Sequence, residues 1–140
     1  MCQTMTAHCG FVWSYMMPKC AATSYAVVAH SAGGYCFENL WARHRDELVK
    51  KLGCLVFTDS SYSAMLKNLT STEVRLLKRI GRHYKCYKGD HLDVGEEFKT
   101  HKSCILEVSA GTSEHVLSTG VSTKHICGFT KILKFNVINE

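Results

Sequence analysis

A single proline, Pro18, stands among the 140 residues, and no internal repeat or low-complexity tract accompanies it. With 46% hydrophobic residues, this scarcity excludes a proline-rich or disordered chain and leaves a globular composition. Long apolar runs are also missing, since none approaches the roughly 18 residues that a membrane helix requires. The eight cysteines never fall into C-x-x-C pairs. Their scatter through expected strands and helices reads as reduced thiols rather than a disulfide framework. The first residues lack the basic stretch and apolar core of a secretory leader. The expectation is therefore a nuclear or cytoplasmic protein, not a secreted one, in which the sequon Asn68-Leu69-Thr70 goes unused. At this length the chain is read as one domain, residues 1–140.

Charge is unevenly placed. Between Glu73 and Lys88 lie Arg75, Lys78, Arg79, Arg82, Lys85 and Lys88, which against Glu73 account for the whole net charge of +5. The rest of the chain is neutral.

What the chain does have is the run Ser24-Tyr25-Ala26-Val27-Val28-Ala29-His30-Ser31-Ala32-Gly33-Gly34. An apolar β-type stretch leads into a serine among small residues, and an amphipathic helical pattern follows at once. That order is the strand–turn–helix layout of a nucleophile elbow, here with G-x-S-x-G relaxed to A-H-S-A-G. Small residues two before and two after the serine let the turn close, and they lift the hydroxyl to the mouth of a sheet.

The pattern beyond the elbow predicts alternating elements. A short helix is expected over 11–17, stopped by Pro18. The elbow strand covers 24–29, and a helix over 33–52 buries Phe37, Trp41, Leu48 and Leu52. Lys50 and Lys51, then Gly53, give it a stop. A strand over 54–58 ends in Asp59-Ser60-Ser61. The capping box Thr70-x-x-Glu73 opens a second helix. It is read as running through Gly81, with Leu77, Ile80, Tyr84 and Tyr87 inward. A polar loop over 89–100, a strand over 104–110 and a final helix around 128–137 complete the skeleton. This is an α/β chain with a parallel sheet of about three strands, one part of an α/β-hydrolase-like architecture. Three strands leave an edge of the elbow strand uncovered.

Each expected strand end carries one polar group, in the hydrolase order Ser31, Asp59, His115. Sites in parallel sheets form at the carboxyl ends of strands, so the three are expected to converge. Ser31 would be nucleophile, His115 base and Asp59 its orienting carboxylate, with the Ala32 N–H as one oxyanion donor. The same residues also read as a helix cap, a turn aspartate and a surface histidine. The pairs His83-x-x-Cys86 and His101-x-x-Cys104 have zinc-like spacing, but their helix and strand settings favour core thiols and ordinary histidines, so no metal or cofactor is expected. Arg75, Lys78, Arg79 and Arg82 form a basic stripe that fits either RNA phosphates or a solvated helix face.

Three motifs, taken together, carry a resemblance: Val27-Val28-Ala29-His30-Ser31-Ala32-Gly33-Gly34, then Phe57-Thr58-Asp59-Ser60, then Val108-Ser109-Ala110-Gly111-Thr112-x-x-His115. In this order, and with Phe11-Val12-Trp13 ahead of them, they resemble the Arb-two domain family from about residue 11 to 137. That family comprises argonaute-binding proteins of small-RNA silencing and their animal relatives, cotranscriptional regulators of splicing. The resemblance implies an α/β-hydrolase-like fold used chiefly for interaction, with argonaute-type, chromatin or splicing partners. The esterase-like site it implies falls on Ser31, Asp59 and His115. The match corresponds to the C-terminal half of that domain, which implies a truncated paralogue or degenerate gene copy. A non-catalytic binding module is the first expectation from this resemblance, and a serine hydrolase the alternative.

Overall fold

Apolar β-branched runs alternate with helical patterns along the chain, and the computed structural model, which describes residues 4–89, 92–98 and 103–138, assembles them into one sheet. Its strands are β1 (Tyr25–His30), β2 (Leu52–Thr58), β3 (Gly81–Lys85) and β4 (Leu106–Ser109), ordered β1-β2-β3-β4. All three pairings are parallel, and the fold is α/β. Sheet residues two apart share a face. On one face Phe57 packs edge-on to Phe37 of helix α2 (Gly33–Lys51), with ring centroids 5.9 Å apart. On the other, the Cys54 thiol and the Thr58 hydroxyl meet Thr130 and Thr119 of helix α4 (Ser118–Ile138). Both faces are thus covered, which is why β2 is buried along nearly its whole length.

The sheet has four strands where three were expected, because the basic helix is shorter than its pattern suggested. Helix α3 spans Ser71–Ile80 and keeps the expected capping box. It stops because the chain turns straight into β3 at Gly81, where a Cβ would lie 2.5 Å from the Leu77 carbonyl oxygen. Only glycine fits. Arg82 therefore leaves the helical stripe and lies on β3, its guanidinium 4.4 Å from the centre of the Phe129 ring, while Arg75, Lys78 and Arg79 remain exposed on α3. Tyr84 is buried in β3, and Tyr87 is exposed beyond its end.

Helix α4 starts ten residues earlier than expected. Its buried face there is Ser118, Ser122 and Ile126, so small hydroxyl side chains replace the apolar residues that hydrophobic periodicity detects. The N-terminal helix also differs. Helix α1 spans Met5–Phe11, capped by the Thr4 side chain, and widens into a turn of π-helix over Val12–Met16. Pro18 then sits in a short 3-10 turn.

The loop expected over 89–100 lies partly outside the described residues. Its segment 92–98 covers the outer edge of β4, where Gly95 N–H donates to the Ser109 carbonyl at 2.9 Å and Ser109 N–H to the Glu96 carbonyl at 2.8 Å. Strand β1 forms the opposite edge and has β2 as its one strand neighbour among the described residues. No helix among the described residues is long and apolar enough to cross a membrane.

Candidate active site

Strand β1 delivers Ser31 into the turn before α2 with φ +52°. That left-handed conformation costs a non-glycine residue about 1–3 kcal/mol, so the surroundings must enforce it. Its backbone is held on both sides. Ser31 N–H donates to the Thr58 carbonyl at 3.2 Å, and the Ser31 carbonyl accepts from the Ser60 hydroxyl at 2.5 Å and from Gly34 N–H at 3.3 Å. Ser60 Oγ also accepts from Gly34 N–H at 3.0 Å. The loop after β2 is thereby latched onto the elbow.

Gly34 makes that latch possible. A Cβ there would fall 2.0 Å from the Ser61 carbonyl oxygen and 2.4 Å from Ser60 Oγ. Backbone cannot give way cheaply, so Gly34→Ala is expected to destabilise the protein by about 1–3 kcal/mol. Chemical denaturation would check this, and an unchanged midpoint would show that the β2 loop does not press on the elbow.

Asp59 follows β2, also at positive φ (+42°), with its N–H donating to the Tyr84 carbonyl at 2.8 Å. Its Oδ1 accepts from Cys86 N–H at 3.3 Å, and its Oδ2 lies 2.6 Å from His115 Nδ1. Burial works against the charged carboxylate. The bonds from His115 and Cys86 outweigh it and hold the Asp59 carboxyl below its ordinary value.

His115 arrives from β4 through a loop in which Gly111 takes φ +71°, and it opens a 3-10 turn, His115–Leu117. Its Nε2 lies 2.9 Å from Ser31 Oγ. An ionised Asp59 can only accept, so Nδ1 of His115 carries the proton and Nε2 is free to receive one from Ser31. The structure thus brings Ser31, His115 and Asp59, which are 84 and 56 residues apart along the chain, into one hydrogen-bonded line. Ala32 stands at the cap of α2, where N–H groups have no partner within the helix and the dipole favours negative charge.

Three participants have no signal in the sequence pattern. Ser60 read as a turn residue, His83 as part of a helix or metal pair, and His30 had no role beyond its place in A-H-S-A-G. His83 instead lies buried in β3, accepting from Ser60 N–H at its Nε2 (3.3 Å) and 3.0 Å from the Tyr62 hydroxyl at its Nδ1. His101 of the zinc-like pairs lies outside the described residues. Among the described residues no group of three or more His, Cys, Asp or Glu side chains is arranged to hold a metal.

Comparison with known proteins adds sequence-level context to this geometry. The family model for the Arb2 domain matches residues 1–85. A human protein, ARB2BP, is 26% identical over 129 residues, covering 91% of this chain and 35% of that protein. The cotranscriptional regulator ARB2A homolog of Xenopus tropicalis is 30% identical over 131 residues, covering 91% of this chain and 28% of its own length. The chain therefore spans about a third of the length of these curated relatives. No solved structure matches it.

Proposed function

The chain belongs to the Arb2 domain family, and from that premise we propose that it carries an esterase-like acyl-transfer site with Ser31 as nucleophile. The observation supporting this is the unbroken line Ser31 Oγ–His115–Asp59, at 2.9 and 2.6 Å. In this reading Ser31 Oγ attacks the carbonyl carbon of an ester while its proton passes to His115 Nε2. The charge that develops on the carbonyl oxygen is met by the Ala32 N–H at the start of α2. Collapse expels the alcohol, which takes the proton from His115, and leaves an acyl group on Ser31. Water, deprotonated by His115, then attacks the acyl carbonyl, and Ser31 Oγ leaves with that proton from His115 as the acid is released. Asp59 keeps the imidazole in the required tautomer and balances its charge throughout.

A second reading rests on a different observation, the similarity to a relative named as a cotranscriptional regulator. It makes this chain a nuclear binding module in RNA-linked regulation, with an argonaute-type, chromatin or splicing protein as partner. In that reading Arg75, Lys78 and Arg79, exposed on α3, would meet RNA phosphates. A fluorophosphonate probe separates the two. Covalent labelling that disappears in Ser31→Ala, with thermal unfolding unchanged, supports the acyl-transfer site. An inert Ser31 in folded protein, together with capture of an argonaute-type protein, supports the module instead.

A further inference from the structure

We propose that His30 is a positioning residue of this site, its ring holding the His115 imidazole in the plane from which one nitrogen reaches Ser31 and the other Asp59. The inference rests on the acyl-transfer reading above. The two rings are in contact, with centroids 4.8 Å apart and planes tilted 33° from parallel, within the centroid range of favourable aromatic pairs. His115 needs such a neighbour. It is exposed and opens a three-residue turn, and the last torsion of a histidine side chain has only broad preferred wells. Hydrogen bonds at the two edge nitrogens alone leave the ring free to tip about the line joining them.

His30 is itself firmly anchored. Its Nδ1 lies 3.0 Å from the Thr58 carbonyl oxygen, which can only accept, so that nitrogen carries a proton. The same carbonyl accepts the Ser31 N–H at 3.2 Å. One buried oxygen thus ties down both the backbone of the nucleophile and the ring that underlies its base. From the other side, the buried Ser118 hydroxyl donates to the His115 carbonyl at 2.8 Å and lies 3.4 Å from His30 Nδ1. The Thr58 hydroxyl meets that of Thr119 at 2.6 Å. These contacts bind the end of β2 to the start of α4 and leave His30 little room to move. A misplacement of the base by about 1 Å costs on the order of 100-fold in rate.

Three substitutions in the full chain separate the parts of this device. His30→Ala removes ring and anchor, His30→Asn keeps a donor for Thr58 without the ring, and His30→Phe keeps a flat ring without the donor. Labelling of Ser31 by a fluorophosphonate is expected to slow by about 100-fold in His30→Ala and His30→Asn. It should stay near the original rate in His30→Phe. Independently of reactivity, the His115 Nδ1–H proton, bonded to Asp59, should give a downfield NMR signal. That signal is expected in the original chain and in His30→Phe, and lost by exchange in His30→Ala. Folded His30→Ala that labels at full speed, or retains the signal, overturns the proposal. Equal loss in all three variants assigns His30 to folding and overturns it as well. If the unaltered chain does not label at all, the acyl-transfer reading fails by itself, and the His115 signal still decides whether His30 orients that ring.

Discussion

Replacing Asp59 by asparagine is expected to slow acylation of Ser31 by about ten-thousand-fold while leaving the fold intact. The size of the loss follows from how the carboxylate is held. Cys86 N–H donates to Oδ1 at 3.3 Å, and His115 Nδ1 lies against Oδ2 at 2.6 Å. In Asp59→Asn the amide oxygen must stay toward Cys86, because the backbone N–H there still needs an acceptor. The amide NH2 then faces His115, whose Nδ1 must become the acceptor. The imidazole proton moves to Nε2, and Nε2 can no longer take a proton from Ser31. Geometry survives while the tautomer is wrong. The rate of fluorophosphonate labelling, compared with that of His115→Ala, measures this directly. A rate within tenfold of the original would mean that His115 does not act as base.

The second large effect is on stability in acid. His83 is buried, and burial pushes its imidazole down to about 4 from an ordinary value of 6.5, against the opposing pull of Glu107. The unfolded chain therefore binds a proton between pH 6.5 and 4 that the folded chain refuses, so stability falls as pH is lowered through this window. The shift corresponds to about 3 kcal/mol, lost by the time pH 4 is reached. Glu73 acts in the same direction further down. The Arg45 guanidinium, with support from Thr70, holds its carboxyl at about 2, so stability drops again between about pH 4.5 and 2 as that pair is lost.

The structural consequence of acid is specific. Protonated His83 offers a donor at Nε2 where Ser60 N–H now finds an acceptor, and the loop that latches the elbow is pushed off. Urea denaturation at pH 7, 5.5 and 4.5 reads the effect. In His83→Gln, which keeps an acceptor without a titrating ring, the dependence over this range should flatten. An equally steep dependence in that variant would assign the acid sensitivity to other groups.

How far the sequence could be read depends on which physical signal each element carries. The elbow was legible because its strand is apolar from Tyr25 to Ala29, even though Ala26 and Val28 are exposed on one face, and because a sharp turn favours small neighbours such as Ala29 and Gly33. Helix α2 was legible from the spacing of Phe37, Trp41 and Leu48. Strand β3 was not, since Tyr84 and Tyr87 continue the helical spacing of Leu77 and Ile80, and Arg82 that of Lys78 and Arg79. The break falls at Gly81, where a Cβ would crowd the Leu77 carbonyl and also come within 3.1 Å of the Ile105 side chain, and that second contact exists only once the strands are docked. The start of α4 was hidden for another reason. Its inward residues, Ser118 and Ser122, are buried because their hydroxyls find the carbonyls of His115 and Ala110, and polar residues give no hydrophobic period.

The sequence by itself determined the parallel α/β class, the order of the elements apart from β3, and the three polar groups waiting at strand ends. Each of these follows from local chemistry, from which faces are apolar and where the chain turns. Only the tertiary structure decided that Ser31, His115 and Asp59 meet within hydrogen-bond reach, and that Ser60, His30 and His83 brace them. Distances between groups 56 and 84 residues apart depend on strand register and on how closely the loops pack. Those are set by the whole folded chain, and no local pattern contains them.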